Sequence, residues 1–336
     1  MNGSHVFRDL RDLSRLPWFE AYDDRVVSRP GLVGPVIDMH THLALAYVLP
    51  MQVDLAMATP RTEHYLPSCC SLDLDVYVNR NFTPQHLSEL RRDLTVRSLT
   101  GGGMRRTHTV PNLRREMDEL GIERSVILPI DFPVLSSNAD HALGAARAED
   151  HLVSFGSVHP YALNPIAKLD SQVARGARGI KVHPAVQLVR PDAPRAVALY
   201  RACGERGLPV LWHCGPVGIE PRLGRYLSQV RHYERPIAEC PGTTFILGHS
   251  GALQMDMALD LACRYPNVVL ETSSQSLRAL ARIVDRAPPD RIVFGSDWPF
   301  YPQAIGLAKV LLVTESRPEL RSKILHSNAA RLLRLP

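Results

Sequence analysis

Two histidines two positions apart, His40 and His42, follow a short apolar stretch of this 336-residue chain. If that stretch is a β-strand, residues i and i+2 point to the same face, so both imidazoles can reach one ion. Imidazole nitrogen is a common protein ligand of zinc and iron. The pair therefore predicts part of a metal site.

Four further apolar stretches also end in a side chain that can bind a metal ion. These side chains are Lys181, His213, His249 and Asp297. Each has a structural explanation when taken alone, since a histidine at a strand end can simply be hydrogen-bonded, and an aspartate before Trp-Pro can cap a turn. Together with the stretch that ends in His40 and His42, they make five strand ends, and five such ends predict a common metal centre. Its donors suit zinc, iron or manganese, whereas the near absence of thiolates argues against a structural zinc site.

The elements that must position these residues form a regular alternation of apolar strands and amphipathic helices. The strands are continuous apolar runs, as expected when both faces are covered. Repeated strand-helix units imply parallel pairing with right-handed crossovers, and eight of them predict an α/β fold, a (β/α)8 TIM-type barrel whose chemistry lies at the carboxyl ends of the strands. The predicted strands are 35–40, 125–130, 152–159, 177–183, 208–213, 244–249, 267–272 and 291–297.

The helix pattern is clearest where Leu113, Met117 and Leu120 precede Gly121, a favourable residue just beyond a helix end. Similar patterns predict a helix near 222–239 and one or two closing helices in 318–335.

Two segments interrupt this regularity. Residues 1–34 are predicted to be an irregular N-terminal extension of a barrel that occupies 35–336. Residues 43–110 separate the first strand from the first regular helix, and a connection that long is usually functional or disordered. Because it leaves the carboxyl end of the first strand, we expect a lid or substrate-wall insertion over the mouth of the barrel.

Composition excludes several classes of protein. With 39 Lys+Arg, 34 Asp+Glu and 45% hydrophobic residues, the chain is typical of a globular protein rather than a fibrous or disordered one. The charge of +5 is dispersed and no basic run is interleaved with aromatics, so we expect no nucleic-acid partner. The longest apolar run, 43–51, is nine residues, short of the ~20 that cross a bilayer.

The polar amino terminus lacks the apolar core of a signal peptide, and the six cysteines form no C-x-x-C pair. Together with the absence of a long apolar run, this predicts a cytoplasmic protein with reduced thiols and no membrane partner.

In its motifs the chain resembles a known family, the metal-dependent amidohydrolase superfamily. It looks most like the amidohydrolase-related branch that includes aminocarboxymuconate-semialdehyde decarboxylase-like enzymes, over residues 35–42 and 111–335. The motifs that carry the resemblance are Asp38-x-His40-x-His42, Gly179-Ile180-Lys181-Val182-His183-Pro184, His213 before Cys214-Gly215, His249-Ser250-Gly251, Gly295-Ser296-Asp297-Trp298-Pro299 and Ser327-Asn328-Ala329-Ala330-Arg331-Leu332-Leu333.

The resemblance implies a role for each strand-end residue. His40 and His42 hold a first divalent ion with Asp297, and His213 is a further ligand. His249 either binds a second ion or acts as an unligated acid or electrostatic group. Lys181 stands where two-metal members carry a CO2-modified bridging lysine; the alternative is that it pairs with a carboxylate or orients substrate. His183 is expected to belong to the turn or to support a ligand rather than to be a ligand itself.

The function implied is a hydrolase, in which one or two ions, zinc first and iron or manganese as alternatives, activate a water that cleaves an amide, ester, lactone or thioester of a small organic acid. Asp297 would move the proton and His249 would stabilise the oxyanion. The alternatives are a nonoxidative decarboxylase, for which no arginine can be assigned to the substrate carboxylate, a non-haem iron oxygenase, and a non-catalytic binding protein. A small-molecule partner and a homodimer are expected by analogy.

Overall fold

The computed structural model describes residues 5–23, 25–46, 51–132 and 136–335. Residues 47–50 of the apolar run 43–51 lie outside the described part. No helix among the described residues has the length and apolar character needed to cross a bilayer.

Eight parallel strands form the centre of the fold. The first three make one sheet in the order β1-β2-β3, and the other five make a second sheet in sequence order. Isolated parallel bridges, Gly156 to Ile180 and Thr41 to Trp298, join the two sheets at both edges and complete the ring. The predicted (β/α)8 barrel is therefore confirmed. In chain order the strands are β1 Val36–Thr41, β2 Ile122–Ile127, β3 Leu152–Ser154, β4 Ile180–Val182, β5 Val210–His213, β6 Phe245–Gly248, β7 Val268–Glu271 and β8 Ile292–Val293.

Both faces of these strands are buried, which explains their continuous apolar sequences. One cluster of buried apolar side chains contains residues from seven of the strands, among them Leu211, Ile246 and Val269. Side chains from so many strands can meet only inside the barrel. The neighbouring residues Val210, Phe245 and Val268 pack in the larger cluster with the helices. The last helix contributes Leu333 to the interior cluster.

The helices surround the ring in the predicted alternation. The helix Val110–Leu120 is followed by Gly121, whose φ of 68° is the left-handed conformation that glycine adopts readily. The helices that follow β1 to β8 are Val110–Leu120, Asn138–Ala148, Pro165–Ala174, Pro184–Gln187, Pro194–Glu205, Arg222–Leu227, Glu234–Glu239, Met255–Arg264, Leu277–Arg286, Gln303–Val313, Pro318–Ser322 and Asn328–Leu333.

The single helix predicted over 222–239 is wrong, because two short helices lie there, separated by a 3-10 turn at Val230–His232. Pro236 supplies the physical reason. It lacks a backbone N–H and is tolerated only in the first turn of a helix, so a new helix must begin just before it.

The two segments outside the alternation are more regular than predicted. The N-terminal extension contains an antiparallel hairpin, Phe19–Tyr22 with Arg25–Ser28, rather than irregular chain. The insertion contains a regular helix, Pro84–Leu94, which the sequence analysis missed although Thr83 and Pro84 are a common N-cap and N1 pair. A backbone hydrogen bond of 2.9 Å from Val78 N to Ser274 O fixes the insertion to the loop after β7.

Candidate metal centre

The ends of β1 and β8 bring two histidines and an aspartate together. The Oδ1 atom of Asp297 lies 3.6 Å from His40 Nε2 and 3.5 Å from His42 Nε2. All three side chains are buried. The backbone fixes this approach, because Asp297 N donates to His40 O at 2.8 Å and Asp297 has a left-handed φ of 65°. Such strain persists only where surrounding contacts impose it, and it is common at functional sites.

The outer nitrogens of the two rings are held by acceptors. His40 Nδ1 lies 2.7 Å from Glu271 Oε2, and His42 Nδ1 lies 2.7 Å from Leu128 O. A carbonyl only accepts, so the proton of His42 is on Nδ1 and the Nε2 lone pair faces Asp297. Metal-binding histidines are typically held in this way by a carboxylate or carbonyl. His40, His42 and Asp297 therefore fit a divalent ion by their chemistry and orientation.

Glu271 organises the other side of the centre. Its Oε2 accepts hydrogen bonds from His249 N at 3.0 Å and Ser273 Oγ at 2.8 Å, in addition to His40. His40, His249 and Glu271 also lie close enough to hold an ion. The oxygens of Glu271 are already occupied by these donors, so it supports the ligand histidines rather than offering a second open site. Burial raises the pKa of Glu271 to about 7.

A chain of hydrogen bonds runs from Glu271 through Ser273 to two further histidines. His249 Nδ1 lies 2.8 Å from Ser273 Oγ, and His249 Nε2 lies 3.1 Å from His213 Nδ1. Since Ser273 donates to Glu271, it accepts from His249 Nδ1, so His249 Nε2 in turn accepts from His213. On this pattern the Nε2 lone pair of His213 is left for a ligand.

Lys181 enters the centre from β4. Its Nζ lies 3.3 Å from His40 Nε2, and the side chain is fully buried. Burial lowers the pKa of Lys181 to about 8, an effect that Asp297 and Glu271 partly oppose. His183 stacks on His213 with ring centroids 4.0 Å apart, and its Nδ1 accepts from Val186 N, so it combines the expected turn role with a place beside the centre.

The imidazoles of His40, His183, His213 and His249 are neutral. Burial is the main reason that the pKa values of His40, His183 and His249 lie well below the ordinary range, and burial lowers that of His213 to about 3. Burial also raises the pKa of Asp297, which His42 and Lys181 partly offset. Neutral imidazole is the form that binds metal ions.

The structure thus brings all six predicted site residues to one place. We call them the histidine cluster: His40, His42, Lys181, His213, His249 and Asp297. All of them except His40 line a cavity of about 650 Å³, a size that takes a small organic molecule. Its other walls are largely apolar, with residues such as Ile130, Leu188 and Phe300.

Several lining residues were missed by the sequence analysis. Tyr77, Asn79 and Arg91 come from the insertion and reach the cavity through tertiary packing. Arg91 is an exposed residue of helix Pro84–Leu94. No strand end or repeating pattern marks these positions in the sequence.

A (β/α)8 barrel with a histidine-rich polar cluster at the carboxyl ends of its strands defines an enzyme class in which metal sites are built at the barrel mouth. Within that class the chain belongs to the amidohydrolase family, whose profile, described as "Amidohydrolase", matches residues 37–335. The family predicted from the sequence motifs is thereby confirmed. Members typically depend on a divalent metal. No curated protein sequence matches the chain significantly.

Solved structures show the same fold at low sequence identity. An uncharacterised TIM-barrel protein from Bordetella bronchiseptica is 20% identical, with a TM-score of 0.64 over 89% of this chain and 98% of that one. A 2,6-dihydroxybenzoate decarboxylase from Rhizobium is 15% identical, with a TM-score of 0.55 over 89% and 99%. A probable 2-pyrone-4,6-dicarboxylic acid hydrolase from Acinetobacter baumannii is 14% identical, with a TM-score of 0.55 over 89% and 99%.

Proposed function

We propose that this protein is a metal-dependent, nonoxidative decarboxylase of a hydrophobic organic acid. The observation that carries the proposal is the position of the histidine cluster in a cavity whose remaining walls are largely apolar. Such a cavity accommodates a hydrophobic ring or chain and excludes water, while the cluster is suited to hold a carboxylate. Similarity to decarboxylases among the solved structures supports this choice over the hydrolase favoured by the sequence.

In this proposal one divalent ion is held by His40, His42 and Asp297, with His213 as a further ligand. The ion would supply the positive charge that binds the substrate carboxylate and withdraws electron density from it. One ion is proposed because Glu271 is already engaged by His40, His249 and Ser273. Zinc remains our first choice, with iron or manganese as alternatives.

The side chains then perform the reaction around the bound acid. Lys181 and Arg91 are the cationic side chains among the described lining residues, and they supply the positive charge for the carboxylate that the sequence could not assign. The carbon–carboxylate bond breaks, carbon dioxide leaves, and the electron pair remains on carbon. Asp297 takes up a proton from solvent and delivers it to that carbon. His249, whose two ring nitrogens are engaged by Ser273 and His213, holds His213 in position.

Hydrolysis is the second candidate, and the same residues favour it. Asp297 lines the cavity and can act as a general base on water. Two of the similar structures are probable or putative 2-pyrone-4,6-dicarboxylic acid hydrolases.

Isotope incorporation separates the two reactions. The purified protein would first be analysed for zinc, iron and manganese, and then incubated with a panel of aromatic carboxylic acids and lactones. In D2O a decarboxylase releases carbon dioxide and places one deuteron on the vacated carbon. In H2(18)O a hydrolase places 18O in its product and releases no carbon dioxide.

We expect carbon dioxide release, loss of that release in Asp297→Asn, and unchanged release in the control His141→Ala, which alters an exposed helix residue. Incorporation of 18O without carbon dioxide would replace decarboxylation by hydrolysis. Metal-free protein that is active on any of these compounds would overturn the metal role altogether.

A further inference from the structure

Five polar side chains face the cavity from the insertion and from the loops after β5, β7 and β8. We call them the polar wall: Tyr77, Asn79, Glu220, Ser274 and Tyr301. They stand apart from the apolar lining residues and from the histidine cluster. A polar surface in an otherwise apolar pocket usually fixes the orientation of a ligand.

Some side chains of the polar wall are hydrogen-bonded to the protein, whereas others have a polar atom that is not. Asn79 Oδ1 accepts from the Tyr301 hydroxyl, and Asn79 Nδ2 donates to Val217 O at 2.9 Å. In contrast, Glu220 Oε2 is buried without a partner among the described residues, and the hydroxyls of Tyr77 and Ser274, although near each other, make no hydrogen bond of normal geometry there. Tyr77 and Ser274 are only 8% and 5% exposed.

Leaving a buried polar atom unpaired costs about 1–3 kcal/mol, and native proteins have few such atoms. Three of them on one wall of one cavity therefore point to a ligand that completes their hydrogen bonds. Core packing does not account for them, since Phe in place of Tyr77 would fill the same space without an unpaired hydroxyl.

The wall is also held rigidly. Ser274 has a left-handed φ of 66°, a conformation that serine adopts at a cost, and its carbonyl accepts the hydrogen bond from Val78 N. This one bond joins the residue next to Tyr77 to the residue that carries the second hydroxyl. The insertion and the barrel thus fix both groups before a ligand binds.

The hydroxyl of Tyr77 stays protonated and can donate. Burial raises its pKa well above the ordinary value, with further contributions from Tyr301 and Asp297, while the nearby Ser274 hydroxyl lowers the pKa through a hydrogen-bonding interaction of poor geometry. Since the polar wall and the histidine cluster line the same cavity, one small molecule can contact both.

We propose that Tyr77, Ser274 and Glu220 bind a hydroxyl group of the substrate while the histidine cluster binds its carboxylate. This inference rests on the proposed function and names the substrate class, a hydrophobic acid with a separate hydroxyl. A hydroxyl both accepts from Tyr77 and donates to Glu220, so it can satisfy the wall. A second carboxylate would be repelled by Glu220, and a hydrocarbon would leave all three atoms unpaired.

Calorimetric titration of the metal-loaded protein tests this recognition without requiring turnover. The probes are benzoate, 3-hydroxybenzoate, 4-hydroxybenzoate and benzene-1,3-dicarboxylate, which differ only in the group presented to the wall. We expect at least one hydroxybenzoate to bind about tenfold or more tightly than benzoate, corresponding to about 1.4 kcal/mol, and the dicarboxylate to bind more weakly than benzoate.

Two variants test which side chains give the preference for hydroxybenzoate over benzoate. Tyr77→Phe removes only the hydroxyl, and Ser274→Gly removes the other hydroxyl while accepting the left-handed backbone. Each should bring the hydroxybenzoate affinity close to that of benzoate. The control Tyr161→Phe, at an exposed ring outside the cavity, should keep the full preference.

Thermal unfolding distinguishes recognition from a structural role. Because the Tyr77 hydroxyl is unpaired, Tyr77→Phe should leave Tm unchanged or raise it, whereas a lowered Tm would identify a structural hydroxyl and contradict the proposal. Wild-type protein without a preference for either hydroxybenzoate, or a Tyr77→Phe variant that weakens all four probes equally, would also overturn it.

The hydroxyl subsite and the proposed decarboxylation can be rejected independently of each other. A Tyr77-dependent preference without carbon dioxide release would support the hydroxyl subsite and reject decarboxylation. Carbon dioxide release from acids with and without a hydroxyl at equal efficiency, and unaffected by Tyr77→Phe, would support decarboxylation and reject the subsite.

Discussion

The histidine cluster and the polar wall share one cavity, but they treat their polar atoms differently. In the cluster the outer nitrogens of His40, His42 and His249 each have an acceptor at 2.7–2.8 Å. In the wall, the hydroxyls of Tyr77 and Ser274 make no hydrogen bond of normal geometry within the described part of the chain. The cluster thus has the fixed geometry that a metal site requires, whereas the wall keeps hydrogen-bonding capacity that we assign to a ligand. The first arrangement fits reaction chemistry and the second fits substrate selection.

Removal of a cluster ligand should have the largest effect. In His42→Ala the Nε2 atom that faces Asp297 is lost, so we expect metal affinity to fall by more than the about 100-fold typical of losing an outer hydrogen-bond partner. Elemental analysis after dialysis and competition with a chelator measure this change. His141→Ala is the matched control, and a His42→Ala protein that retains a full metal equivalent would remove His42 from the ligand set.

The next effect tests whether the cluster depends on its hydrogen-bonded support. Glu271→Gln keeps the shape of the side chain but places an amide NH2 among His40, His249 and Ser273, which all use the carboxylate as an acceptor. We expect a 10–100-fold loss of metal affinity with a folded barrel. Chelator competition measures the loss, and circular dichroism checks the fold. Unchanged affinity would show that the orientation of His40 does not need Glu271. Glu205→Gln, at an exposed position, is the control.

The two regions also differ in how far the sequence predicts them. The cluster was predictable because barrel geometry brings all strand ends to one face, so residues as distant as His40 and Asp297 can be assigned to one site. Glu271 is likewise the polar residue at the end of an apolar strand. Tyr77 and Ser274 were not predictable, because their meeting depends on the path of a long insertion and on one backbone bond from Val78.

The aromatic neighbours of the ligands show the same limit. Trp212 precedes His213 and Trp298 follows Asp297, and these positions alone do not distinguish a role in the site from core filling. Trp212 is fully buried and stacks on Phe245, as a core residue does. Trp298 Nε1 donates to Glu116 Oε2 at 2.9 Å, which links the residue beside Asp297 to the outer helices. Only the packed structure separates these cases.

Glu116 offers a test of that link outside the cavity. Its carboxylate accepts from Trp298 Nε1 and from Gln303 N at 2.6 Å and lies 2.9 Å from His64 Nε2. Glu116→Gln should lower the free energy of unfolding by about 1–3 kcal/mol at pH 7, because it places a donor against buried donors. Urea unfolding measures this difference. The exposed Arg235–Glu239 pair supplies the control, since Glu239→Gln should change stability by less than about 1 kcal/mol.

The pH dependence of this difference has a definite sign. Burial alone would raise the pKa of Glu116, but His64, Gln303 and Trp298 outweigh it, so the folded-state pKa lies below the ordinary 4.5. The stabilisation is therefore complete above pH 4.5 and decreases as the pH falls below that value. Wild-type protein and Glu116→Gln should converge in stability in acid. A difference that grows on acidification would contradict the assignment of Glu116 as a stabilising carboxylate.

The smallest expected effect is the difference in stability between phenylalanine variants of the two tyrosines in the polar wall. The Tyr301 hydroxyl donates to Asn79, so Tyr301→Phe should cost about 1 kcal/mol of stability, whereas Tyr77→Phe should cost nothing. The same substitution at two positions of one cavity thus separates a hydrogen bond that holds the wall together from one reserved for a ligand. Parallel urea titrations of both variants measure the difference. Equal losses would mean that Tyr77 is already paired in the folded protein, and the contrast between wall and cluster would then disappear.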